Sequence, residues 1–169
     1  GTADATLTLG NILAHEGEGD AARKAYKAAM KRHESVGSDI GRANARGNLG
    51  NLSLQRGDLR DALAHHRAAL AIHEKTGNPV GRVNALSNLG NVRFREQKFD
   101  DARRSYTAAL DIFRQIEVPL GEAMALGNIG NVMFRQGEHD EALDMYERGL
   151  SIHTEIGNPY GRAAALTNL

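Results

Sequence analysis

Small and large apolar residues recur along the chain in two helical stretches separated by short polar breaks. From Pro79 to about residue 96, Ala85, Leu89 and Val92 fall at i, i+4 and i+7, one apolar face of a helix. The polar break "EQK" follows at 96–98. From about Asp100 to Ile116, Ala102, Tyr106, Ala109, Leu110 and Phe113 mark the buried face of a second helix. The breaks "QRGD" at 55–58 and "RQGE" at 135–138 stand in the same place of the neighbouring segments. "GNP" at 77–79 and 157–159 punctuates the other junction. There Gly77 suits a left-handed residue after one helix, Asn78 a cap for the next and Pro79 its first turn. Asp100 and Asp140 are predicted N-caps of the second helix of each pair. No strand pattern, low-complexity segment or linker interrupts the series.

The pattern repeats every 40 residues. "NLGN" stands at 48–51 and 88–91, "NIGN" at 128–131 and "TLGN" at 8–11. Gly41/Gly81, Arg42/Arg82, Ala45/Ala85, Ala62/Ala102, Ala69/Ala109 and Pro79/Pro119 are identical one period apart. The chain reads as repeats 1–40, 41–80, 81–120 and 121–160 with a partial fifth at 161–169, each a helix A followed by a helix B. Gly50, Gly90 and Gly130 follow the buried Leu49, Leu89 and Ile129. They are expected to let helix B approach, with Ala62, Ala102 and Ala142 as the small partner surface. The fold class predicted is all-α, a right-handed solenoid of helical hairpins forming a single domain over 1–169.

The stretch "ALSNLGNVRFREQKFDDARRSYTAAL" at 85–110 resembles the tetratricopeptide repeat. The matching positions are Leu89, Gly90, Phe99, Ala102, Tyr106 and Ala109 with their counterparts one period away. A 40-residue period is similar to the longer repeats of kinesin light chain, Pins-type adaptors and bacterial regulators. Two positions depart from the family pattern: Leu86 or Leu126 replaces a large aromatic, and Ser53, Arg93 or Met133 replaces a tyrosine. The resemblance implies that helix A lines a concave groove and that the chain binds a protein or peptide there.

One stripe of helix A, next to the buried one, is rich in asparagine. At i, i+4, i+7 and i+11 it reads Asn44, Asn48, Asn51, Gln55, then Asn84, Asn88, Asn91, Arg95, then Met124, Asn128, Asn131, Arg135. The first repeat gives Asp4, Thr8, Asn11 and His15. Asn is a poorer helix former than the Glu, Lys, Arg and Gln of ordinary solvated faces. Three readings fit: ligand binding, hydrogen bonds to neighbouring helices, and plain solvation. An amide has an acceptor and two donors and suits an extended peptide backbone. Families similar to this one use groove asparagines in that way, and carrying the role over gives Asn11, Asn48, Asn51, Asn88, Asn91, Asn128, Asn131 and Asn168.

Charge adds a preference. The formal net charge is zero, which argues against wholesale binding of nucleic acid or an anionic membrane. Yet Arg42, Arg46, Arg56, Arg82, Arg93 and Arg95 make the inner layer mildly basic, while 138–155 is acidic. Arg95 and Arg135 end the stripe and are candidate carboxylate clamps, which favours an acidic peptide. Cysteine is absent, so disulfides and thiolate sites are excluded, and a cytoplasmic setting is expected. No secretory signal opens the chain and no apolar run suits a membrane span. No phosphate-loop or GxSxG motif is present, and His65–His66 lacks an HExxH partner. His33, His73 and His153 share a register with Phe113, which points to packing at a helix C-terminus, where a protonated His suits the dipole. No enzyme, cofactor or metal site is expected. Two further readings are a peptide-sensing regulatory domain of a larger protein and a structural element that self-associates end to end through its last helix, where Ala165, Leu166 and Leu169 lack a helix B.

Overall fold

The computed structural model describes residues 1–169 and holds nine α-helices without a strand. They are α1 (Thr2–His15), α2 (Gly19–Ser35), α3 (Asp39–Gln55), α4 (Leu59–Lys75), α5 (Pro79–Arg95), α6 (Phe99–Gln115), α7 (Pro119–Gln136), α8 (His139–Glu155) and α9 (Pro159–Asn168). Odd-numbered helices are helix A of successive repeats and even-numbered ones helix B. Within a repeat the two run antiparallel: in the first, Tyr26 bonds Asn11 while Arg32 reaches Thr2 at the other end of the pair.

The turns account for the helix ends. Gly17, Gly57 and Gly137 close helix A with φ of 81°, 81° and 83°. Gly37, Gly77 and Gly157 close helix B with φ of 67°, 62° and 66°. A left-handed residue with no Cβ stops a helix at little cost. In the third repeat these places belong to Gln97 (φ 59°) and Glu117 (φ 53°). The next helix A is then capped by a side chain: Ser38, Asn78 and Asn158 accept from the backbone N–H of Gly41, Gly81 and Gly161 at 3.3, 3.1 and 3.0 Å. Asp100 and Asp140 are not caps. Helices α6 and α8 begin two residues earlier than such caps would place them, with Lys98 and Glu138 in the capping place and no side-chain cap bond. The two aspartates sit inside the first turn, where a carboxylate favours the helix dipole.

The chain forms two compact units, Gly1–Val92 and Arg93–Leu169, divided within the last turn of α5. In the first, Ala22, Tyr26, Leu49 and Leu52 form a buried cluster against Leu7, Leu13 and Met30. In the second, Ala102, Tyr106, Leu110, Leu126, Ile129, Val132, Met133 and Tyr146 do so.

The glycines of helix A face rings rather than the alanines expected. A Cβ on Gly10 would lie 2.5 Å from the Tyr26 ring, on Gly50 2.6 Å from His66 and on Gly130 2.6 Å from Tyr146. A second register behaves alike: Gly41, Gly81 and Gly161 lie under His33, His73 and His153, and Gly121 under Phe113. A buried aromatic covers roughly 150–250 Å². At about 25 cal/mol per Å² that outweighs the ~1 kcal/mol helix penalty of glycine. Ala62, Ala102 and Ala142 are buried within the helix packing but do not fill this place.

Candidate functional site

Asn11, Asn51, Asn91 and Asn131 share one register of helix A; Asn48, Asn88, Asn128 and Asn168 share another; Asn44 and Asn84 stand one turn earlier. In the first unit Asn11 Oδ1 accepts from the Tyr26 hydroxyl at 3.1 Å and from Asn48 Nδ2 at 2.8 Å. Both lone pairs of that oxygen are then used, and Asn11 presents its own two N–H donors. Asn51 lies opposite His66 rather than a tyrosine. It is exposed, as are Asn44 and Asn84 of the same stripe, and Asn88 is half-buried. Asn91 is half-buried on α5.

His66 is fully buried, and neither ring nitrogen has a partner. Burial pushes its pKa down to about 4, with the neighbouring His65 adding to the effect, so the ring is neutral. His73 is neutral for a second reason besides burial. Asn78 places its oxygen on the Gly81 N–H, which turns its Nδ2 toward His73 Nδ1 at 3.3 Å. An amide nitrogen only donates, so Nδ1 accepts. The protonated imidazole expected at this helix end is therefore not the state of His73; packing against Gly81 is what holds it.

In the second unit Asn131 Oδ1 accepts from the Tyr146 hydroxyl at 2.9 Å. Asn128 and Asn168 carry no hydrogen bond. All three line a cavity of about 320 Å³ over α8, between α7 and α9. Leu120, Met124, Ala164 and Ala165 wall it, and Gly149 and Tyr146 form its floor. The tyrosine–asparagine bonds escape a reading of helix A alone. Their signal is a ring sixteen residues after each glycine of the "LGN" motif, tyrosine at 26, 106 and 146 and histidine at 66.

The charge arrangement is narrower than the count of arginines suggests. Arg56 pairs with Asp20 at 2.6 Å, Arg93 with Glu96 at 2.7 Å, and Arg42 lies 3.6 Å from Asp39. These arginines are neutralised within the protein. Arg135 stacks on Phe94 and Phe99, 5.6 and 5.3 Å from the ring centroids. Stacking uses the face of the guanidinium and leaves its N–H edge to solvent. Arg95 is exposed at the end of α5.

No helix is long and apolar enough to cross a membrane. Several solved structures share the fold. Over 99% of this chain and 44% of its own, aspartyl phosphate phosphatase F from Bacillus subtilis superposes with a TM-score of 0.93 at 14% identity. BtubC from P. vanneervenii does so with 0.84 at 19% identity, over 92% of this chain and 65% of its own. A signal-transduction ATPase with numerous domains and a tetratricopeptide repeat sensor, from Pyrococcus horikoshii, gives 0.88 at 17%, over 98% of this chain and 25% of its own. The chain thus spans less than two thirds of each. No curated protein matches the sequence. The tetratricopeptide repeat model matches residues 1–75, 81–155 and 121–169. With helices, registers and sequence model in agreement, the chain belongs to the tetratricopeptide repeat family.

Proposed function

We propose that the chain is a protein-interaction scaffold, not an enzyme, whose helix-A asparagines hold an extended peptide or partner segment. Its repeats act as one domain over 1–169, in the cytoplasm. The observation that carries this reading is the state of the amides. Asn51, Asn88 and Asn128 stand on the asparagine stripe without a protein partner. Asn11 and Asn131 have their oxygens held by tyrosine, which fixes the amide and turns donors outward. Outward donors suit peptide carbonyls and carboxylates. The mild preference for acidic ligands rests on Arg135, whose stacked guanidinium leaves its N–H edge to solvent. Preorganised amides on rigid helices lower the ordering cost of binding.

The test uses asparagines without a structural bond. Peptides selected from a displayed library of random nonapeptides are titrated against the wild-type chain and against Asn88→Ala with Asn128→Ala. At about 1 kcal/mol per hydrogen bond the double variant loses roughly tenfold or more in affinity. Its melting temperature holds or rises slightly, since Ala is the better helix former. Unchanged affinity sinks the reading. A second reading, a peptide sensor within a larger signalling protein, is favoured by the likeness to a chain whose repeats are described as a sensor. A peptide-induced change in the scattering profile of the isolated chain would favour it over a passive scaffold.

A further inference from the structure

We infer that the cavity between α7 and α9 receives one apolar side chain of the bound segment, aliphatic or aromatic, and so fixes the register in which the peptide lies. This rests on the peptide reading above.

The lining carries no charge. None of the residues around the cavity is Asp, Glu, Lys or Arg. Of the two rings in the lining, the Tyr146 hydroxyl is given to Asn131 at 2.9 Å and the buried His153 takes its contact from Asn158 at 3.4 Å. A carboxylate or ammonium placed here would find no counter-charge, and its desolvation would oppose binding. Leu120 and Met124 meanwhile stand 45% and 59% exposed at the wall, large apolar groups without a cover.

Two kinds of glycine surround the cavity. Gly130 is required, since a Cβ there would strike the Tyr146 ring. Gly127 and Gly149 are not. A Cβ on Gly127 meets nothing within 4 Å, and one on Gly149 would lie 3.4 Å from the Ala123 carbonyl oxygen and 3.9 Å from Leu126 Cβ. The other three repeats carry Ala29, Ala69 and Ala109 in the place of Gly149. Both glycines disfavour the helix without relieving a clash. What their missing side chains leave is the open volume.

The chemistry also changes within one register. Asn44 and Asn84 of the second and third repeats become Met124 in the fourth. The rim keeps Asn128, Asn131 and Asn168. An extended strand held at its backbone by rim amides points alternate side chains to one side, and one of them enters the cavity.

The experiment extends the nonapeptide selection to Gly127→Leu, which builds a side chain into open space and improves helix propensity, and to Gly149→Ala, which restores the residue of the other repeats. The wild type is expected to enrich peptides with one fixed apolar position. Gly127→Leu is expected to weaken those peptides by about tenfold, while an alanine at that position abolishes the difference. Gly149→Ala should shift the choice toward smaller apolar residues. Enriched peptides with no apolar position, or an apolar position whose affinity Gly127→Leu leaves unchanged, overturn the pocket alone. Failure of the wild type to enrich any peptide overturns the peptide reading and the pocket with it.

Discussion

The second and fourth repeats solve one packing problem with different rings. Gly50 and Gly130 each lie under an aromatic from helix B, His66 in one and Tyr146 in the other, and a methyl added at either glycine would stand 2.6 Å from its ring. Tyr146 continues past the glycine and reaches Asn131 at 2.9 Å. His66 stops short, so its two buried nitrogens go without partners, and the exposed Asn51 amide is left to solvent. The flat ring over glycine is what the backbone demands. The hydrogen bond to asparagine is a separate gain, and the second repeat forgoes it.

Acid is the strongest lever on that difference. His66 titrates at about 4 in the folded chain against 6.5 when unfolded. A base with a lowered folded pKa favours folding in its neutral form, so its contribution is intact above pH 6.5 and is lost as pH falls toward 4. At 1.36 kcal/mol per unit the loss is about 3 kcal/mol. His65 and His73, also lowered by burial, act in the same direction. Urea midpoints followed from about pH 7.5 down to about pH 3.5, which brackets the titration, should therefore slope down steeply in the wild type and less so in His66→Tyr. At neutral pH His66→Tyr should also gain about 1 kcal/mol through a new bond to Asn51. Parallel pH slopes for the two proteins would remove His66 from the account.

A smaller effect tests what the two repeats share. Gly50→Ala and Gly130→Ala each push a methyl into a ring and should cost about 2 kcal/mol despite the better helix propensity. Gly47→Ala and Gly127→Ala, one turn earlier in the same helices, meet nothing within 4 Å and should gain up to about 1 kcal/mol. Equal effects at all four positions would show that ring packing does not govern the first pair.

Much of this was legible from the 40-residue period. Helix number, the buried stripe of Ala85, Leu89 and Val92, and the turn residues Gly77, Asn78 and Pro79 all follow from local pattern. The ring opposite Gly50 or Gly130 was not, because Ala62 and Ala142 offered an equally small-looking partner four residues nearer in sequence. Contacts between repeats were also hidden: Arg56 to Asp20 spans 36 residues, and Asn48 to Asn11 spans 37. Such pairs join different registers of successive repeats, so alignment one period apart does not expose them. That is why the inner arginines read as free charge when several are paired. The cavity near Gly149 needs three helices at once and no single stripe announces it.

The smallest effect concerns the turns. In the first unit every helix ends on glycine, at 17, 37, 57 and 77, all with φ above 60°. The second unit begins with Gln97 and Glu117 holding the same left-handed conformation at φ of 59° and 53°. A Cβ in that region crowds the following carbonyl and costs roughly 1–2 kcal/mol. Replacing it by glycine relieves the crowding but frees the unfolded chain by about 0.5–1 kcal/mol. The balance predicts that Gln97→Gly and Glu117→Gly each stabilise by about 0.5 kcal/mol. The reverse exchange, Gly57→Gln, should destabilise by a similar amount, which makes the two units interchangeable in their turns though not in their rings. Differential scanning calorimetry on the three variants is the check. A loss of stability in Gln97→Gly would mean that the glutamine side chain itself supports the turn.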